Sequence, residues 1–222
     1  MVVPEDVAVP GATATTVVAP MRRRHLRGVV AIERDANPRP WSHRLFAGEL
    51  RMPTSRLYLV ALQDLQVVGY AGLMTTLDEG HVTNVAVHRD HRRQHLATML
   101  LLVLMRRAAE RGVVDMTLEV RTSNTAAKEL YRRFGFAPGG MRKGYYQDTG
   151  EDALIMWAHG IDSADQAERL AALEAALPSP LVDWTEGVDL VAVARQDADE
   201  AAADEADEAA DGRTDTDGTE TL

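Results

Sequence analysis

The stretch from Val82 to Val120 limits the possible folds more than any other part of the chain. A strand-like run over 81–87 passes through a polar, basic loop at 88–94 into an apolar-striped segment that ends at Gly112, and a β-branched run follows over 114–120. Leu96, Leu100, Val103 and Leu104 recur at i, i+4, i+7 and i+8, one face of an α-helix, and Arg111 with Gly112 adds a closing cation and a C′ glycine. Adjacent strands joined through such a helix run parallel, because the crossover returns the chain to the end it left. The chain therefore builds an α/β layer, not a helical bundle or a sandwich.

The flanking segments extend that layer. Thr15 to Val18 is a β-branched run ending at Pro20 and predicts a first strand. Leu26, Val29, Val30 and Ile32 predict a helix over 24–34, stopped by Pro38 and Pro40; Ser42 is the expected N-cap of a second helix reaching Leu50. Runs over 57–62 and 67–74 predict a hairpin, and the turn Asp78-Glu79-Gly80 leads to the strand at 81–87. Gly69 and Gly72 mark a bulge or a close backbone approach. Ala126, Ala127, Leu130 and Phe134 predict a helix over 124–133, and strands follow from Phe136 and over 153–157. The order βααβββαβαβ(β) is mixed α/β, mostly antiparallel, with one parallel crossover.

The acidity is unevenly spread. The 222 residues carry a net charge of −10, but up to Ile161 there are 16 acids against 21 Lys and Arg, and beyond it 18 acids against 3 Arg. A mildly basic body is left to fold, of a size that suits one domain. The expected divisions are a flexible leader over 1–14, one folded domain over 15–161, a helix and linker extension over 162–196, and a disordered acidic tail over 197–222. The extension holds an Ala/Leu/Glu helix over 165–177 and a small apolar patch over 181–193. With no cysteine, disulfide scaffolds, thiolate zinc sites and cysteine nucleophiles are excluded. The run from Leu96 to Met105 is too short for a membrane span, so a soluble, cytoplasmic protein without membrane partners is expected. His88, His91 and His95 have no carboxylate or cysteine arranged around them, and no metal is expected.

A helix N-terminus beside Arg89, Arg92 and Arg93 suits a pyrophosphate, although basic loops before helices are more often only solvated surface. More specific is an ordered series: Pro40-Trp41-Ser42; Arg92-Arg93-Gln94-His95-Leu96-Ala97; Leu118-Glu119-Val120-Arg121 with Asn124; Leu130-Tyr131; Arg142-Lys143-Gly144-Tyr145-Tyr146; and Gly150-Glu151-Asp152-Ala153. Over 16–161 the chain resembles the GNAT acetyltransferases, and more closely their RimI type, which acetylates the N-terminal alanine of a ribosomal protein. The resemblance implies the GNAT fold and acetyl-CoA as co-substrate. It also implies a protein or peptide N-terminus as acceptor, such as that of a small-subunit ribosomal protein, with no direct nucleic-acid binding.

The same resemblance assigns Glu119 as general base and Tyr131 as general acid. Val85, Ala86 and Val87 match the strand along the acetyl-CoA arm, Arg92, Arg93, Gln94, His95, Leu96, Ala97 and Thr98 match the pyrophosphate loop and helix start, and Asn124 matches a further cofactor contact. Trp41, Tyr145 and Tyr146 match the acceptor pocket, although each could simply pack locally. The chemistry fits those residue types. A terminal amine is largely protonated near neutral pH, so a base must take its proton, and the departing thiolate needs an acid. Backbone N–H groups near Val85 to Val87 suit the oxyanion. Without the matching series, Glu119 would read as a carboxylate solvated or paired to Arg121 or Arg142, and Tyr131 as core. One position departs from the family pattern: His95 stands where the first glycine of the loop belongs. The reading favoured here keeps φ negative at His95 and turns its side chain outward; a positive φ would strain it. The competing functions are a GNAT enzyme for a small amine or a lysine, and a catalytically weak CoA-binding module.

Overall fold

Among the described residues the strands form one sheet of eight, in the order 137–146, 151–158, 115–121, 79–87, 66–76, 56–63, 16–20 and 181–183. The computed structural model describes residues 15–189, 191–193 and 195–197. The elements are β1 (Thr16–Pro20), α1 (Leu26–Ala36), α2 (His43–Leu50), β2 (Arg56–Gln63), β3 (Gln66–Thr76), β4 (Glu79–Val87), α3 (Leu96–Glu110), β5 (Asp115–Arg121), α4 (Thr125–Arg133), β6 (Ala137–Tyr146), β7 (Glu151–Ala158), α5 (Ala164–Ala175) and β8 (Leu181–Asp183). Short 3₁₀ turns lie at Arg23–His25 and Arg89–His91. Neighbouring strands are antiparallel except β4 with β5, the expected crossover, and β1 with β8.

Local chemistry explains the boundaries. Ser42 Oγ accepts from Leu45 N at 3.2 Å and opens α2. Asn124 Oδ1 accepts from Ala127 N at 3.1 Å and opens α4. Both satisfy helix-end donors that would otherwise lack partners. The apolar residues divide between two cores, one on each face of the sheet. Leu96, Leu100, Val103 and Leu104 of α3 pack with β2, β3 and β5 residues, Tyr131, Phe134 and Leu170 on one face. Leu26, Val29 and Ile32 of α1 pack with Phe46, Tyr58 and Tyr70 on the other. Burying one such aliphatic side chain stabilises by about 1.5–3 kcal/mol, so each helix is held mainly by its stripe.

β8 is a strand that the sequence left inside an apolar patch. Three residues cannot show a period, and their extended state comes from the edge of β1, where Thr16 pairs with Leu181 and Val18 with Asp183. Ion pairs fasten the same extension: Arg106 to Glu174 at 2.6 Å and Arg107 to Asp183 at 3.2 Å. Asp197 Oδ2 also accepts from Arg23 N at 2.9 Å. The leader expected over 1–14 and the rest of the acidic tail, 198–222, lie outside the described residues.

Candidate active site

β4 and β5 pair for only three residues, Glu79 with Asp115 through His81 with Thr117. Beyond that point they part, and alternate backbone N–H and C=O groups of β4 from Val82 to Val87 face a cleft instead of a strand. Glu119 lies on the β5 wall of the cleft with its side chain only 6% exposed. Its Oε2 is 3.2 Å from His81 Nε2 and its Oε1 is 3.2 Å from Arg142 Nη2. Tyr146 Oη donates to its backbone oxygen at 3.4 Å. Tyr131, from α4, lines the same cleft as Glu119. Burial pushes its phenol well above the ordinary tyrosine range, and Tyr146 adds to the shift.

A basic groove continues from the cleft along α3. Val85, Ala86 and Val87 form one wall, Asn124 and Tyr131 the other, and Arg92, Arg93, His95, Leu96, Ala97 and Thr98 close its end. Gln94 stands apart: its side chain turns to Gln63, whose Nε2 donates to it at 3.3 Å. Gln63 also meets His91 Nδ1 at 2.9 Å and donates to Thr16 Oγ1 at 2.9 Å, so a β2 glutamine tethers the loop. The backbone at His95 does not keep the negative φ expected of it. Its φ is 60° and its ψ 13°, the left-handed region, while the side chain is exposed as expected. Two residues earlier Arg93 also has a positive φ, 64°. The loop must turn twice to present the α3 N-terminus to the groove, and that geometry, not the residue type, sets φ at His95.

On the opposite side, Trp41, Tyr145 and Tyr146 line one cavity together with Glu33, Asn84 and Arg121. Glu33 is buried on α1 and accepts from Tyr70 Oη, from Asn37 Nδ2 at 2.7 Å and from Trp41 N at 3.1 Å. It thereby fixes the loop between α1 and α2. Arg39 Nη1 donates to Gln147 Oε1 at 2.8 Å and ties that loop to the β6–β7 turn. Arg121 holds both oxygens of Asp148, at 3.0 and 2.8 Å, and stacks its guanidinium 3.9 Å from the Tyr146 ring centre. Of the two arginines considered as partners of Glu119, the structure selects Arg142. His81, Glu33, Gln63 and Asn84 were not singled out from sequence. Glu33 meets Tyr70, Gln63 meets Gln94, His81 meets Glu119 and Asn84 shares a cleft with Glu119, all across elements far apart in the chain, and no spacing announces them.

Residues 26–136, half of the chain, match the model of the Acetyltransferase (GNAT) family. The chain belongs to the GNAT acetyltransferase family. A relative of this GNAT chain from Bacillus subtilis is 39% identical over 137 residues, covering 62% of this chain and 91% of the relative. The [Ribosomal protein bS18]-alanine N-acetyltransferase of Salmonella typhimurium is 39% identical over 127 residues, covering 56% of this chain and 84% of that one. The crystal structure of the ribosomal-protein-S18-alanine N-acetyltransferase from Escherichia coli superposes with a TM-score of 0.61 at 33% identity, covering 66% of this chain and 94% of that one. The RimI-type resemblance and the mixed, mostly antiparallel GNAT sheet both hold. Among the described residues no helix is long and apolar enough to cross a membrane, and no three His, Asp or Glu side chains converge as metal ligands.

Proposed function

We propose that this GNAT acetyltransferase moves the acetyl group of acetyl-CoA to the N-terminal α-amine of a protein, with the N-terminal alanine of ribosomal protein bS18 as the acceptor. The observation that carries the reading is that the cleft holding Glu119 and Tyr131 opens both ways: it shares Val85, Asn124 and Tyr131 with the basic groove, and Asn84, Arg121 and Tyr146 with the aromatic-lined cavity. A fold-fitting anionic co-substrate has the exposed arginines and the α3 N-terminus at one end and the unpaired β4 edge along its length. The names and coverage of the bacterial relatives support the acceptor.

Acetyl-CoA supplies a thioester whose C–S bond breaks as the C–N bond to the acceptor forms. Glu119 takes one proton from the terminal ammonium, directly or through a water, and later releases it to solvent. His81 and Arg142 hold the two carboxylate oxygens in orientation. Tyr131 keeps its proton at neutral pH, burial further disfavouring the phenolate, and passes it to the departing sulfur; the second proton shed by the nitrogen as the amide forms restores the phenol. The left-handed backbone at His95 matches what the family's glycine permits, so the loop keeps its shape at a cost of about 1–2 kcal/mol.

Thiol release from acetyl-CoA with a peptide beginning Ala-Arg-Tyr tests the reading. Release is expected with that peptide; release only with a polyamine or an aminoglycoside would move the acceptor to small amines, and CoA binding without turnover on any amine would make the chain a binding module. Glu119→Gln should lower turnover most below about pH 8, where the amine is protonated and depends on a base. Tyr131→Phe should lower turnover with acetyl-CoA binding retained. Wild-type rates in both variants would overturn the assigned roles.

A further inference from the structure

Among the described residues, two buried side-chain polar atoms lack a hydrogen-bond partner, Arg107 Nε and Asn84 Oδ1. Arg107 uses its other nitrogens on Glu110 and Asp183, so its Nε belongs to an ion-paired group. Asn84 has no such explanation. A buried acceptor without a donor is unfavourable, and its persistence in a cleft points to a ligand that supplies the donor.

The backbone places it there. The β3–β4 register slips between Gly72, opposite Asn84, and Leu73, opposite Val82, leaving Thr83 as the extra residue of a β-bulge. Strict alternation would put Val82, Asn84 and Ala86 on one face. Instead Val82 packs with Val85 and Val87 in the α3 core, while Ala86 joins the α1 core. Thr83 Oγ1 meets Tyr58 Oη at 3.3 Å on that α1 side. The slip therefore keeps the Asn84 carboxamide out of the α3 core and sends it to the side of Glu33 and Trp41. Asn84 lines both the catalytic cleft with Glu119 and the aromatic cavity with Trp41 and Tyr146, but not the basic groove.

We infer that Asn84 Oδ1 is the anchor of the acceptor's terminal amine: it accepts one N–H of the incoming α-ammonium while another proton faces Glu119. The inference rests on the acceptor reading above and deepens it. An amine held at two points cannot rotate its lone pair away from the acetyl carbon, and the neutral carboxamide fixes it without competing for the proton. Asn84 is a positioning residue in this scheme, and it favours primary amines that enter through the aromatic cavity.

Steady-state kinetics of Asn84→Leu, Asn84→Ala and Asn84→Asp with the Ala-Arg-Tyr peptide test the assignment, alongside thermal unfolding of each variant. Removal of the acceptor oxygen in the Leu and Ala variants should raise the peptide KM about tenfold or more and lower kcat with the peptide, since the amine loses its orientation, with the acetyl-CoA KM changed less than about twofold. Asn84→Asp keeps an acceptor oxygen and should keep a peptide KM near wild type. Asn84→Leu should also melt at or above the wild-type temperature, since the orphaned oxygen is gone. An unchanged peptide KM in the Leu and Ala variants, a parallel rise in the acetyl-CoA KM, or a fall in the Asn84→Leu melting temperature would each overturn it. Wild-type turnover of the peptide reports on the acceptor and the Asn84 series on its anchor, so the two ideas can fail separately.

Discussion

His95 occupies a position at which the backbone asks for glycine. With φ at 60° its Cβ crowds the following carbonyl, and the imidazole borders the groove that suits a pyrophosphate. His95→Gly should relieve the strain and raise Tm by about 2–4 °C, the shift expected for about 1 kcal/mol in a domain of this size. It should also lower the acetyl-CoA KM. His95→Ala keeps the Cβ and should show no gain in Tm, which differential scanning calorimetry on the two variants would resolve. Glu119 shows the converse case, a residue whose partners matter more than its own place. His81 and Arg142 reach it from β4 and β6, on either side of β5 and β7, so the carboxylate is oriented by the sheet as a whole.

The elements divide into those that fold from their own pattern and those that depend on a neighbour. α3 carries its apolar face in every turn, and its stop signal is local. β8 depends on β1 for its pairing and on Arg107 for its anchor. The Arg107 and Asp183 side chains are only 10% and 13% exposed, so loss of the aspartate leaves a largely buried guanidinium with Glu110 as its remaining ion-pair partner. Asp183→Ala should therefore cost about 2 kcal/mol and lower Tm by about 4–8 °C. An unchanged melting temperature would show that β8 adds nothing to the stability of the sheet. The β4–β5 pair is the element pair on which the site depends: three paired residues join the strands, and their separation beyond His81 creates the cleft.

Across the whole molecule the charge is arranged, not merely summed. The basic body and the acidic C-terminal part are linked through Arg106 with Glu174, Arg107 with Asp183, and Arg23 N with Asp197. Part of the extension's acid thus partners the body's arginines on the side of α3 and β1. Arg92, Arg93 and Arg133 remain exposed along the groove. Their attraction for an anionic co-substrate is long-ranged and open to solvent, so ions should weaken it. Raising ionic strength from about 0.01 to 0.15 M, where the screening length falls from about 30 to 8 Å, should raise the acetyl-CoA KM about threefold or more and leave the peptide KM less affected. A flat salt profile would mean that the arginines take no part in capture.

By itself the sequence determined the repeating features: the helical stripe at 96–104, the cap at Ser42, the crossover, and the motif series from Arg92 to Tyr146 that marked the GNAT family. Each is a local pattern, set by the helix or strand period or by a side chain that bonds its own backbone. Tertiary structure decided the rest. The backbone at His95 follows from a loop tethered through Gln63, and the state of β8 from an open strand edge. The partners of Glu119 depend on the order of the strands around β5 and β7, and the placement of Asn84 Oδ1 on a register slip against β3. These are contacts between segments tens of residues apart, and only the folded sheet brings them together.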